Sequence, residues 1–312
     1  MTSYPSPVTL HQKIVLIGAK GMLAQAVLAA VPDHYDVCCF DLPDFDMTNR
    51  GLVLSTLSDL CPDVVINCAA FTNVDGCESQ KEMATRVNGT AVGHLAEAAL
   101  AIDATLVQIS TDYVFSGNGK TPLREDEPVG PQSAYGRSKL LGEQAIITSG
   151  LEKYFILRTS WLYGPGGNNF VETILRLAKE RDQIGIVADQ IGSPTYTGDL
   201  ADAIFNLLKL VTSHTSHVTV PYGLYHFSND GACSWYDFAV EIVKQARKNG
   251  EDLKVKKISP IGTEDYPLPA KRPAYSVFSK QKYQLATGAE IPSWQESLKR
   301  YLGKRVLDTD QI

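Results

Sequence analysis

The segment 13–30 constrains the fold more than any other part of the chain. Lys13-Ile14-Val15-Leu16-Ile17 is a short, almost wholly apolar run. A strand that is apolar on both faces belongs inside a parallel sheet covered by helices. It leads directly into Gly18-Ala19-Lys20-Gly21-Met22-Leu23-Ala24, a G-x-x-G-x-x-A pattern, and then into a helix expected from about Gly21 to Ala30. Glycines let the chain turn tightly and let its backbone approach a pyrophosphate. The N-terminus of the next helix offers N–H groups and the positive end of its dipole. Gly18, Gly21, Met22 and Leu23 are therefore candidate dinucleotide contacts. An ordinary strand–helix turn can share the spacing, so the rest of the chain has to decide.

The alternation continues. Tyr35 to Phe40 is a second strand, ending at Asp41, which lies 23 positions beyond Gly18. An acid about 20 residues past the first glycine is placed to accept hydrogen bonds from ribose hydroxyls and to repel a 2′-phosphate. Asp41 thus favours NADH over NADPH, although Asp44 and Asp46 follow closely and a solvated loop aspartate reads the same. Asp46 and Met47 are placed to bracket an adenine. Asp63 to Ala70 is a third strand with a small-residue end, so that Ala69, Ala70, Phe71 and Thr72 would line a passage close to the backbone. Arg86 to Ala101 reads as a helix, with Asn88 as a capping or strand-bridging residue. Ala104 to Ser110 is a fourth strand and Lys153 to Ser160 a fifth. Gly18, Ala69, Thr111 and Trp161 then all fall at carboxyl ends of parallel strands, where open α/β sheets bind ligands. The expected fold class is α/β, a Rossmann-type doubly wound parallel sheet with a smaller C-terminal α/β substrate domain.

One polar stretch carries chemistry. Ser110 to Lys139 ends with Tyr135 and Lys139 four residues apart in a helical segment, on one face and within reach of each other. Free tyrosine has a pKa of about 10, and a nearby cation favours its phenolate. A phenol drawn toward the working pH in this way is a proton donor. Thr111 could offer a hydroxyl to the same reacting oxygen. A lone Tyr-x-x-x-Lys recurs by chance, so its weight comes from the dinucleotide pattern upstream.

Beyond Gly164 the character shifts. An amphipathic helix spans about Phe170 to Arg181, a strand Ile184 to Val187, helices Asp199 to Leu210 and Trp235 to Lys248, and a further strand Gly223 to Phe227. Residues 1–12 are read as a flexible N-terminus and 13–164 as the NAD(P)-binding domain, with 199–228 returning to it. Residues 165–198 and 229–312 form the substrate domain. The Thr/Ser/His-rich stretch 211–221, with His214 and His217, suggests no chemistry. Arg272, after a proline-rich loop, is a candidate phosphate contact or one half of a solvated basic pair.

Composition excludes several classes. The net charge is −6 with no long basic run, which argues against a nucleic-acid polymer as partner. The six cysteines form no C-x-x-C pair, and the histidines form no H-E-x-x-H. No metal site is expected. Cys38, Cys39 and Cys68 sit in apolar runs as reduced core residues. No signal peptide or membrane span is apparent, and a cytoplasmic enzyme is expected.

The strings STDYVF, YGRSK, RTSWLYGPGGNNF, DQIGSPT and KRPAYS together resemble the dTDP-4-dehydrorhamnose reductases, a branch of the extended short-chain dehydrogenase/reductases. The similarity runs from Ile14 to about Trp294. It implies reduction of the 4-keto group of dTDP-4-dehydro-β-L-rhamnose to dTDP-β-L-rhamnose, for surface polysaccharide, with NADH or NADPH. It further implies Tyr135 as the acid, Lys139 as its partner and holder of the nicotinamide ribose, and Thr111 as the third catalytic hydroxyl. Asp112, Tyr113, Trp161, Asn169 and Arg272 are implied on the sugar-nucleotide side. Mg2+ enters by resemblance only, since no carboxylate cluster stands near the glycine loop, where Ala26 lies. A homodimer is a further expectation. Two rivals stay open. One is another nucleotide-ketosugar reductase or epimerase; dehydratases of this scaffold carry an acidic pair after the threonine, whereas Tyr113 follows Asp112 here. The other is a non-catalytic regulatory subunit resembling methionine adenosyltransferase β.

Overall fold

A computed structural model describes residues 11–212 and 220–309. The expected flexible N-terminus lies outside these apart from its last two positions, as do His214 and His217. Among the described residues, eight strands are longer than two residues and eight α-helices longer than seven. The strands are β1 (Gln12–Ile17), β2 (Tyr35–Phe40), β3 (Val64–Asn67), β4 (Thr105–Thr111), β5 (Tyr154–Thr159), β6 (Gln183–Val187), β7 (Gly223–His226) and β8 (Lys257–Ile261). The helices are α1 (Met22–Ala30), α2 (Arg50–Leu60), α3 (Ala91–Ala101), α4 (Ala134–Ile147), α5 (Phe170–Glu180), α6 (Thr197–Thr212), α7 (Trp235–Lys248) and α8 (Trp294–Thr309).

Six parallel strands form one sheet in the order β7-β5-β4-β3-β1-β2. Strand side chains alternate, so β1 feeds both faces at once. Ile14 and Leu16 pack with α1 and α6 on one face; Val15 and Ile17 pack with α2 and α3 on the other. This is the doubly wound α/β arrangement that two-sided apolar strands require. The chain steps from β1 outward to β2, then back across β1 to β3. The crevice above β1 and β3 is thus the switch point of the strand order. A third cluster gathers Tyr163, Ile174, Phe238, Ile242 and Leu298, among others, beside the paired strands β6 and β8.

Three local expectations need correction. The third strand stops at Asn67, not Ala70, because the Asn67 Oδ1 accepts the Ala69 N–H at 3.0 Å and turns the chain out of the ladder. The helix expected from Arg86 opens as a π turn, Arg86–Thr90, before α3 begins. Cys39 is exposed rather than core: β2 is the sheet's edge strand, and although Tyr35 and Val37 on the same face pack into the core, that cover stops short of Cys39. All six cysteines are free thiols. No helix of the described residues is long and apolar enough to cross a membrane.

Candidate active site

The site begins with the turn after β1. Gly18 has φ +78°, a left-handed value that side chains rarely adopt, and a Cβ there would lie 2.6 Å from the Ala69 nitrogen. The backbones of the first and third strands therefore close together over the sheet edge. Gly21 opens α1 without any side-chain cap. Its first N–H groups are left for another acceptor, as a pyrophosphate site needs. Asp41 braces this turn: its carboxylate accepts the Lys20 and Leu42 N–H groups, each at 2.7 Å. The Lys20 ammonium donates to the Leu42 carbonyl at 2.6 Å, so a cation stands in the same patch.

The second part is the end of β4 and the start of α4. Ser133 caps α4 by accepting the Gly136 N–H at 3.1 Å, which starts the helix one residue before Tyr135. Thr111 Oγ1 donates to Asp112 Oδ1 at 3.0 Å and accepts the Tyr113 N–H. The Tyr113 ring meets Tyr135 edge-on at 5.5 Å. Lys139 is buried, and its Nζ donates to the Ile109 carbonyl at 2.6 Å. Burial pushes the Lys139 ammonium down to about 8, against the Glu143 carboxylate, which pulls it up. Tyr135 departs from expectation. Burial and the Asp112 carboxylate push its phenol up, opposed by the Thr111 hydroxyl. The phenol is neutral at working pH, the form from which a proton is given. Burial also pushes Asp112 up to about 6, opposed by the Ser276 and Thr111 hydroxyls.

Asn88 settles into the bridging role. Its side chain accepts the Phe71 N–H and donates to the Phe71 carbonyl and to Ser138 Oγ, at 2.8, 3.0 and 3.0 Å. It ties the loop after β3 to α4. On the opposite wall Trp161 adopts φ +49° and stacks on Trp235, centroids 3.5 Å apart.

One cleft of about 840 Å³ joins these parts. Gly18, Gly21, Met22, Leu23, Asp41, Asp46, Met47, Ala69, Ala70, Thr72, Thr111, Asp112, Tyr113, Tyr135, Lys139 and Trp161 line it. Three expected residues lie outside that lining. Phe71 packs behind the wall with Cys77, Ala84 and Ala134. Asn169 is the N-cap of α5, accepting the Glu172 N–H and donating to the Gly164 and Gly167 carbonyls. Arg272 forms a two-pronged ion pair with Asp75, at 2.6 and 2.7 Å, which fastens the 262–277 loop to the sheet domain. Sequence reasoning passed over Lys20, Ser160 and Gly167, which also line the cleft. Lys20 stood inside the glycine motif and was the one with a visible signal. The open α1 N-terminus, the close Gly18–Ala69 approach and the Asp41 patch fit a nicotinamide dinucleotide. Among the described residues no three His, Cys, Asp or Glu side chains are grouped as a metal site.

Comparison with known proteins agrees with this geometry. Residues 12–306 match the family described as the RmlD substrate binding domain. A dTDP-4-dehydrorhamnose reductase of Aggregatibacter actinomycetemcomitans is 41% identical over 290 residues, 92% of this chain and 97% of that protein. The chain belongs to the dTDP-4-dehydrorhamnose reductase family. Among solved structures, the family's Clostridium acetobutylicum reductase superposes with a TM-score of 0.85 at 42% identity, over 96% of this chain and 100% of that one. A Bacillus anthracis member in complex with NADP gives a TM-score of 0.86 at 39% identity, over 94% and 99%. Membership makes the chain an oxidoreductase and its cofactor a nicotinamide dinucleotide.

Proposed function

We propose that this protein reduces the 4-keto group of dTDP-4-dehydro-β-L-rhamnose to give dTDP-β-L-rhamnose, for surface polysaccharide synthesis in the cytoplasm. The observation that carries the reading is the convergence of Thr111, Tyr135 and Lys139 in the cleft that the Gly18–Gly21 turn opens. When bound, the reduced nicotinamide supplies a hydride. Tyr135 gives its proton to the oxygen that becomes the alcohol, and the Thr111 hydroxyl steadies that oxygen. Lys139 keeps a positive charge one helical turn from Tyr135, which offsets the phenolate left behind. Trp161 and the 166–168 loop cover the far side and limit water. The missing second acid after Asp112 argues against elimination of water, and the intact catalytic set against a purely regulatory subunit.

The test is oxidation of NADH or NADPH by the purified protein with enzymatically prepared dTDP-4-dehydro-L-rhamnose. Stoichiometric loss of reduced-nicotinamide absorbance is expected. Cofactor binding without oxidation would overturn the reading.

Asp41 is read as the residue that favours NADH, with Lys20 beside it tolerating a 2′-phosphate. Replacing Asp41 by Ala removes the repelling charge and leaves the cation. The NADPH-to-NADH ratio of kcat/KM is expected to rise about tenfold, since one close charge contact contributes on the order of 1–2 kcal/mol in a partly solvated site. An unchanged ratio would take Asp41 out of ribose recognition.

A further inference from the structure

A buried polar layer lies directly behind the catalytic groups, and the reaction as described does not use it. Ser110 on β4 is in register with Arg158 on β5, and Arg158 with His226 on β7. The three form one rung across three strands, all buried. Thr111 and Thr159 form the next rung. Glu143 reaches this rung from α4. Its Oε1 accepts from Ser110 Oγ at 2.5 Å and from Arg158 Nε at 2.9 Å, and its Oε2 from an Arg158 terminal nitrogen at 2.6 Å. The Arg158 guanidinium also lies 4.9 Å from the centre of the Phe115 ring, and a terminal nitrogen stands 3.5 Å from His226 Nε2.

Burying two charges is costly, and an apolar pair would fill the same space. The position of Glu143 gives the pair a use. Tyr135, Lys139 and Glu143 follow each other at four-residue steps on one face of α4. Lys139 grips the carbonyl of Ile109 and Glu143 the hydroxyl of Ser110, the two residues before Thr111. The helix is therefore clamped to β4 at two successive residues, with the third catalytic residue next in line. We propose that Glu143, fixed by Arg158, is a positioning residue that sets the placement of Lys139 and Thr111. The inference rests on the catalytic reading given above.

The electrostatics follow from what faces Lys139. Its own helix brings Tyr135, a neutral phenol, and Glu143. The end of β3 brings Cys68, a thiol that burial pushes up to about 12. Beyond Glu143 come Arg158 on β5, its ion-pair partner, and His226 on β7, which burial and Arg158 push down to about 3 and so leave neutral. At neutral pH Glu143 is thus the anion that draws the ammonium up. A lysine is charged below its pKa. Losing Glu143 while keeping Arg158 lowers that pKa, so the charged window closes at lower pH.

The experiment compares the parent, Glu143→Gln, and the apolar double variant Glu143→Leu/Arg158→Met. It reads kcat, KM, Tm and the pH profile. It also reads the pH dependence of Lys139 acylation by mass spectrometry, which needs no sugar. For Glu143→Gln, kcat is expected to fall about tenfold or more with KM within about twofold, and the alkaline limb and labelling midpoint to move about one pH unit lower. The double variant is expected to recover Tm, because no unpaired charge is left, while kcat stays low. Recovery of kcat along with Tm would make the pair merely structural and overturn the proposal. So would a Glu143→Gln variant with kcat and labelling midpoint near those of the parent. If the parent reduced no keto sugar, the proposed function would fall, and the labelling profile would still decide the role of Glu143.

Discussion

Tyr135→Phe is expected to lower kcat about a thousandfold while NADH affinity stays within about twofold of the parent. The substitution removes one oxygen from a ring whose packing against Tyr113 and Ala134 is otherwise kept. Two neighbouring proton carriers are turned away from that role. Lys139 is turned to the Ile109 carbonyl, and the Thr111 proton is directed at Asp112. Single-turnover loss of reduced-nicotinamide absorbance, beside a fluorescence titration of NADH, separates chemistry from binding. Turnover within tenfold of the parent would remove Tyr135 as the donor. A matching loss of NADH affinity would assign it to binding.

The second large effect is structural. Gly142 lies where α4 crosses the π turn, and a Cβ there would stand 2.3 Å from the Asn88 carbonyl oxygen and 3.3 Å from a Val92 methyl. Two effects compete in Gly142→Val. Leaving glycine improves helix propensity by a few tenths of a kcal/mol. Overpacking against a backbone oxygen, which cannot rotate away, costs about 3 kcal/mol. The clash wins, so Tm falls. Because Asn88 holds both Phe71 and Ser138, the shift is passed to Tyr135 and Lys139, and kcat falls with it. Gly303→Ala on α8 is the control. An added methyl there meets nothing within 4 Å, and stability is expected to hold or rise. A Gly142→Val protein as stable as the parent would mean that the π turn yields, and that its closeness to α4 is incidental.

The parts of the site that could be read from the sequence are those whose physics is local. The glycine turn, the acid after β2 and the Tyr135–Lys139 pair are each set by spacing within one strand–turn–helix unit. Their convergence follows from parallel strands ending on one edge. What stayed hidden depends on partners far along the chain. Arg272 looked like a free cation because Asp75 lies in another part of the sequence, and Asn169 looked like a ligand contact because its capping role needs the folded 164–167 loop. The rung of Ser110, Arg158 and His226 needs strand register, which no single segment encodes. The exposure of Cys39 needs strand order, since only an edge strand has one flank without a neighbouring strand. The π turn lies against α4, a long-range contact that local propensity does not report.

The order of the strands has a consequence for how the chain is made. Strand β7 pairs with β5, yet residues 160–222 are synthesised between them, and α5 and β6 belong to the other cluster. As the polypeptide leaves the ribosome, β5 therefore presents an open hydrogen-bonding edge until Gly223–His226 emerges. Exposed edges of this kind invite pairing with other chains. Arg158 sits on that edge, and the late arrival of His226 completes its surroundings. The nascent nucleotide-binding half is left with one flank unsealed while the next lobe is still being translated.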